Sequence, residues 1–139
     1  MNRPFKLQFP PMRVLIGADH GGFALKNQLA AILRKDGHDV VDLGAHSYDS
    51  ADDYPDFALA VAEGVAQGDG ERGVIVCGSG VGAAVAANKV RGARAALCNC
   101  LYTARMARAH NDANVLSMGA RVVGEGLAAR QIDDGLQDH

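Results

Sequence analysis

The sequence predicts a single three-layer, doubly wound α/β domain on a five-stranded parallel sheet, and three observations lead there. Short runs of Val, Ile, Leu and Ala alternate with longer amphipathic segments at the spacing of βαβ units. Gly, Asp and Ser collect at the junctions. The chain has 139 residues, the size of one domain and too few for two independent cores. Apolar residues make up 48% of it, yet aromatics only 5% and Trp is absent, so small aliphatic side chains must build the core. That composition suits helices laid closely on a sheet, and right-handed crossovers then place helices on both faces in a Rossmann-like layering.

Taken in order, Arg13 to Ala18 (RVLIGA) is an apolar run ending on small residues, the pattern of a strand buried on both faces. Phe23, Leu25, Leu29, Ile32 and Leu33 recur at helical spacing, and Gly37 is the stop. Asp39 to Leu43 (DVVDL) reads as the second strand. From Gly44 to Asp53 the chain turns to Gly, Ser, Asp and His, a loop; Pro55 then suits the first turn of a helix reaching Gln67. Gly73 to Val76 (GVIV) is the third strand, which CGSGVG breaks into a helix continuing through AAVAANKV to Val90. Ala93 to Cys98 gives a fourth strand, Thr103 to Ala109 a helix, Val115 to Met118 a fifth strand, and Glu125 onward a closing helix. Residues 1–11, with three prolines and no long apolar run, read as a flexible leader or start-site extension ahead of a domain over 12–139.

Charge and cysteine usage narrow the partners. Fourteen Lys and Arg against sixteen Asp and Glu give a net charge of -2, interspersed, so no basic face invites a nucleic acid or an anionic membrane. Cys77, Cys98 and Cys100 show no C-x-x-C spacing, which argues against a disulfide framework or a zinc ribbon and points to a reducing cytoplasm. The sequence offers no metal-ligating cluster.

Ligands of such sheets bind beyond the carboxyl ends of the strands, so segments flanking the strands hold the candidates. These are Asp19-His20-Gly21-Gly22, the run Cys77 to Gly82, and His110-Asn111 ahead of the fifth strand. The glycine loop passes from a strand into a helix, so its N–H groups and the helix's positive end converge on one point, as an anion or oxyanion requires. Gly78, Gly80 and Ala83 satisfy a loose dinucleotide pattern. That pattern belongs after a first strand, however, and wants an acid where this chain has Leu97, Cys98 and Asn99. No Lys-Ser or Lys-Thr follows, which excludes a Walker loop.

Cys77 ends a strand directly before a helix start, where a thiolate is favoured, and is a candidate base or nucleophile. The alternative, a small buried apolar residue, suits Cys98 and Cys100. Asp19 and His20 either cap the first helix or, flanked by glycines, meet a ligand. His110 and Asn111 either finish a helix or serve a site. His38 and His46, on polar segments, are expected at the solvated surface.

In order from about Arg13 to the C-terminus, G-A-D-H-G-G, D-D-Y-P-D, C-G-S-G-V-G, A-A-N-K, H-N-D-A-N and G-A-R-V-V resemble the type B ribose-5-phosphate isomerase family. That family also contains galactose-6-phosphate and related sugar-phosphate isomerases. The resemblance implies aldose-ketose isomerisation of ribose 5-phosphate and ribulose 5-phosphate through an enediolate. The alternatives are a neighbouring substrate (an allose, galactose or tetrulose phosphate) or a non-catalytic α/β ligand-binding module.

It further implies Cys77 as the base between C2 and C1, His110 as the ring-opening acid/base, and Ser79 with the loop amides as donors to developing charge. Asp19, His20, Gly78, Gly80, Val81, Gly82, Asn111 and Arg121 match substrate contacts. Some members carry Gly at the position of Cys77 and use a loop glutamate; Ala83 and Ala84 leave no such glutamate here. Neither a metal nor an organic cofactor is implied. The partners implied are a sugar phosphate and a second copy of the chain, in a homodimer or a tetramer, with the His-Asn pair reaching into the partner's pocket. Members continue past the closing helix into a tail whose arginines grip phosphate, whereas this sequence ends at Asp138-His139. The expectation is a truncated sequence, with His20 among the groups left to hold phosphate.

Overall fold

The structure is a computed structural model and describes residues 10–138. The expected leader therefore falls almost wholly outside the described residues. Five parallel strands, β1 (Arg13–Ala18), β2 (Asp39–Asp42), β3 (Arg72–Cys77), β4 (Ala95–Leu97) and β5 (Val115–Gly119), form one sheet in the order β2-β1-β3-β5-β4. The helices are α1 (Phe23–Lys35), α2 (Tyr54–Ala66), α3 (Val81–Ala87), α4 (Leu101–Asn111) and α5 (Glu125–Leu136).

Successive residues of β1, β3 and β5 point to opposite faces, and both faces are covered. Val14, Ile16, Val74, Val76, Leu116 and Met118 pack with α1, α4 and α5 through Leu29, Leu33, Ala104 and Ile132. Leu15, Ile75 and Val115 pack with α2 and α3 through Val61, Ala83 and Ala87. The alanines on the helices let them lie close to the sheet, which the aromatic-poor composition foreshadows. From β1 the chain crosses outward to β2, and from β3 it crosses the other way to β4. The winding direction thus reverses between β1 and β3, and the carboxyl ends of these two strands open the crevice where such sheets bind ligands.

Three elements have a boundary more than one residue from expectation. β4 is shorter, because the Arg94 N–H bonds the Asn114 side chain (2.7 Å) rather than a strand neighbour. α3 stops at Ala87 instead of Val90: the Asn88 side chain turns to the edge strand and bonds the Ala95 N–H and C=O, both at 2.8 Å. α4 is longer than Thr103 to Ala109 and ends where Asp112 enters the left-handed region at φ 50°.

Two side-chain expectations are overturned. His38 is buried rather than solvated, because Met12 crosses it and its Nδ1 accepts the Met12 N–H (3.2 Å); burial holds its pKa below the ordinary value. Cys100 is exposed rather than buried, since it precedes α4 outside the strand, and the Thr103 hydroxyl draws its thiol pKa down. Cys98 is buried as expected, and burial pushes its thiol up to about 11.

Lys26 is fully enclosed on α1. Its ammonium bonds both Asp42 carboxylate oxygens (3.0 and 2.8 Å) and the Ala45 carbonyl (2.5 Å), with the Phe23 ring centroid 5.2 Å away. These bonds pin the 44–45 segment, which also pairs with Ala18 at the end of β1 (Ala18 N–H to Gly44 C=O, Ala45 N–H to Ala18 C=O). Lys26→Met is expected to cost about 3 kcal/mol, the low end for breaking a buried pair because Asp42 keeps some contact with water. Urea denaturation should show a lower midpoint at an unchanged slope.

Candidate active site

β1 ends at Ala18, and a single 3-10 turn over His20–Gly22 leads directly into α1. β3 ends at Cys77, and three residues lead into α3. The two loops touch: a Cβ on Gly21 would lie 3.2 Å from the Gly78 nitrogen and 3.3 Å from Asp19 Oδ1, so only glycine permits this approach without displacement.

Asp19 is 8% exposed, caps no helix through its side chain, and has no hydrogen-bond partner at Oδ1. A buried carboxylate oxygen left without a donor is uncommon, and such an atom can accept a hydroxyl hydrogen. His20 is fastened by Asp52, whose Oδ1 accepts the His20 backbone N–H and lies 2.8 Å from ring Nδ1. That hydrogen bond is the main cause of a raised His20 pKa; partial desolvation opposes it, and the charges of Asp19 and Asp52 add to it. Asp52 lies in the D-D-Y-P-D motif, where nothing local to the sequence assigns it a role. The ligand atoms of Asp19, His20 and Asp52 lie within 4.8 Å of one another, the spacing of a metal site, although His20 Nδ1 and Asp52 Oδ1 are already engaged with each other.

Cys77 is 5% exposed, and its sulfur accepts the Gly80 N–H at 3.1 Å. Gly80 reaches this position at φ 86°, in the left-handed region that favours glycine. Ser79 is exposed, and its hydroxyl accepts the Val81 N–H (3.2 Å) at the start of α3. Val81 faces solvent, Gly82 carries the Tyr54 ring, and the Arg121 guanidinium lies against Gly78. Arg121 is brought there by two backbone bonds, Ala120 N–H to Cys77 C=O and Arg121 N–H to Gly78 C=O. Asp19, His20, Cys77, the Gly78–Gly82 run and Arg121 therefore share one end of the sheet.

His110 and Asn111 do not join them. They are exposed at the C-terminal end of α4, where Arg108 bonds the Asp112 carboxylate and the Ala113 carbonyl. β5 runs from Val115, beside Gly73, to Gly119, beside Cys77, so the pair sits about one strand length away, roughly 13 Å along the sheet.

A cleft of about 320 Å³ opens beside His20, lined also by Tyr48, Ala120, Val123 and Gly124. A larger groove of about 680 Å³ lies between α2 and the face of β1 and β2, beside Arg13, Leu43 and Gly64. Its lining carries no thiol, hydroxyl or imidazole.

The fold and site define a small doubly wound α/β enzyme with a thiol set under a loop of backbone donors. The family described as Ribose/Galactose Isomerase matches residues 14–137. A ribose-5-phosphate isomerase B from Mycolicibacterium paratuberculosis is 47% identical over 119 residues, 84% of this chain and 75% of the relative. Among solved structures, ribose-5-phosphate isomerase B of Clostridium thermocellum superposes with a TM-score of 0.87 at 49% identity, covering 91% of this chain and 86% of that one. The Mycoplasma genitalium enzyme with bound ribulose-5-phosphate gives 0.87 at 41% identity, covering 91% and 84%. The chain belongs to the ribose/galactose isomerase family. Among the described residues no helix is long and apolar enough to cross a membrane.

Proposed function

We propose that this protein interconverts ribose 5-phosphate and ribulose 5-phosphate, with Cys77 as the carbon base. The observation that carries the reading is the Cys77 sulfur, held by the Gly80 N–H at 3.1 Å in the same crevice as Asp19 Oδ1, a buried oxygen without a hydrogen-bond partner. The thiolate takes the proton from C2 of the open-chain aldose, the electrons left behind form the enediolate, and the thiol returns the proton to C1. A second proton passes between O2 and O1. Negative charge on these oxygens is met by N–H groups of the Gly78–Gly82 loop, whose orientation is fixed before the reaction begins. Asp19 accepts sugar hydroxyls, while His20 and Arg121 supply positive charge for the phosphate.

His110 opens the sugar ring, with Asn111 beside it, in the site of a second subunit. This assignment suits their place at the far end of their own sheet. The sugar assignment draws support from the ribose-5-phosphate isomerase B relatives. Its test is a panel of ribose, allose and galactose phosphates assayed for kcat/KM. Ribose 5-phosphate is expected to rank first, and a higher value for a six-carbon phosphate would reassign the substrate.

The His20–Asp52 pair gives a pH prediction. Because Asp52 raises the His20 pKa, the imidazolium persists to higher pH than an isolated histidine and is lost as pH rises through the folded-state value. Phosphate affinity should therefore weaken as pH rises, with a midpoint above the ordinary value of about 6.5. Asp52→Asn should move that midpoint down. Inhibition by inorganic phosphate, measured against pH in both proteins, checks this; coincident curves would remove His20 from phosphate binding.

A further inference from the structure

The glycine loop does not fix its own shape. Gly80 at φ 86° has many other conformations available, yet its N–H must stay aimed at the Cys77 sulfur. Two side chains outside the loop supply the restraint. Asn99, in the segment between β4 and α4, donates from Nδ2 to the Ser79 carbonyl (3.0 Å) and accepts the Gly119 N–H at Oδ1 (2.8 Å). Ser117, fully buried on β5, donates its hydroxyl to the Gly80 carbonyl at 2.7 Å.

The first of these bonds bears directly on the thiol. The Ser79 C=O and the Gly80 N–H belong to one planar peptide unit and point in opposite directions. Holding the carbonyl therefore aims the N–H. A chain of donors running from Asn99 through this peptide to the sulfur also polarises the final N–H, which strengthens its bond to a negative acceptor. Ser117 fixes the next peptide, so both carbonyls flanking the Gly80 α-carbon are tied to the β4–β5 side of the sheet.

We infer that Asn99 and Ser117 are positioning residues that hold the Gly80 amide on the Cys77 sulfur and so favour its thiolate. Neither acts on the substrate. The inference rests on the reading of Cys77 as the base, but its test does not depend on turnover.

The test is the pH dependence of Cys77 alkylation by iodoacetamide in the parent, Asn99→Ala and Ser117→Ala proteins. Alkylation is followed on the Cys77 peptide by mass spectrometry, so that the exposed Cys100 is counted separately. Both variants should move the Cys77 midpoint up, by about half to one pH unit, because a hydrogen bond to the charged form is weakened. Turnover should fall about three- to tenfold with KM nearly unchanged, since Asp19, His20 and Arg121 are left in place. Midpoints equal to the parent's in correctly folded variants overturn the proposal, and a loss of turnover without a midpoint shift would mark the two residues as structural only. If Ser117→Ala fails to fold, Asn99→Ala, at a partly exposed position, gives the answer alone. Turnover that survives Cys77→Ala would defeat the base assignment and is read separately from the midpoint.

Discussion

Cys77→Ala should lower turnover at least about 100-fold while leaving the fold intact, because removing a positioned base typically costs that much or more. Cys77 closes β3, a strand paired on both sides, and only its sulfur projects toward the crevice loop. Alanine keeps the strand and leaves a small void; the loss of one buried heavy atom and one weak bond costs on the order of 1 kcal/mol. Substrate affinity should change little, since Asp19, His20 and Arg121 remain. Cys77→Ser should behave alike, because its hydroxyl is far too weak a base. The measurements are kcat, KM and thermal melting. Turnover within about tenfold of the parent would exclude Cys77 as the proton carrier.

Mixing Cys77→Ala with His110→Ala should restore activity on the cyclic sugar that neither variant shows alone. Within one chain His110 lies about 13 Å down the sheet from the level of Cys77, so a site using both must borrow one from a second copy. A mixed dimer then has one site with neither replacement and one with both. With random exchange half the dimers are mixed, and the pool should recover about a quarter of the parent's activity. Dual affinity tags establish that mixed dimers formed. No recovery in purified mixed dimers would end the shared-site reading. The single variant His110→Ala should also harm the cyclic sugar much more than an aldose phosphate that cannot close a ring; equal losses would assign His110 to binding or folding.

β1 and β3 were legible because each is a contiguous apolar run closed by glycine or a polar turn, and their backbones need only the pattern. The Cys77 loop was legible for a similar reason: strand, glycines and helix adjoin in sequence. What escaped depends on contacts between distant residues. Asp52 meets His20 across 32 positions, Asn99 meets Ser79 across 20, and Ser117 meets Gly80 across 37. In isolation each reads as an ordinary loop or strand residue. Lys26 follows Leu25 on a helix, and a lysine there suggests a solvated face; only the return of Asp42 and Ala45 encloses it. His38 reads as a surface residue because the chain that covers it, at Met12, comes from before the first strand.

The loop from Leu43 to Asp53 carries Asp52 and Tyr48 to His20, with the Tyr48 and His20 rings meeting edge to face at 6.2 Å. Much of it is exposed and irregular, whereas the thiol is anchored to a central strand. Lengthening such a segment is cheap, since doubling a loop adds only about 0.6 kcal/mol of closure entropy. The depth of the cleft beside His20 can therefore be altered by insertion or deletion at one rim while the thiol stays where it is. On the proposed reading of Cys77 as the base, such a division would let the accepted sugar change in length without rebuilding the proton-transfer step.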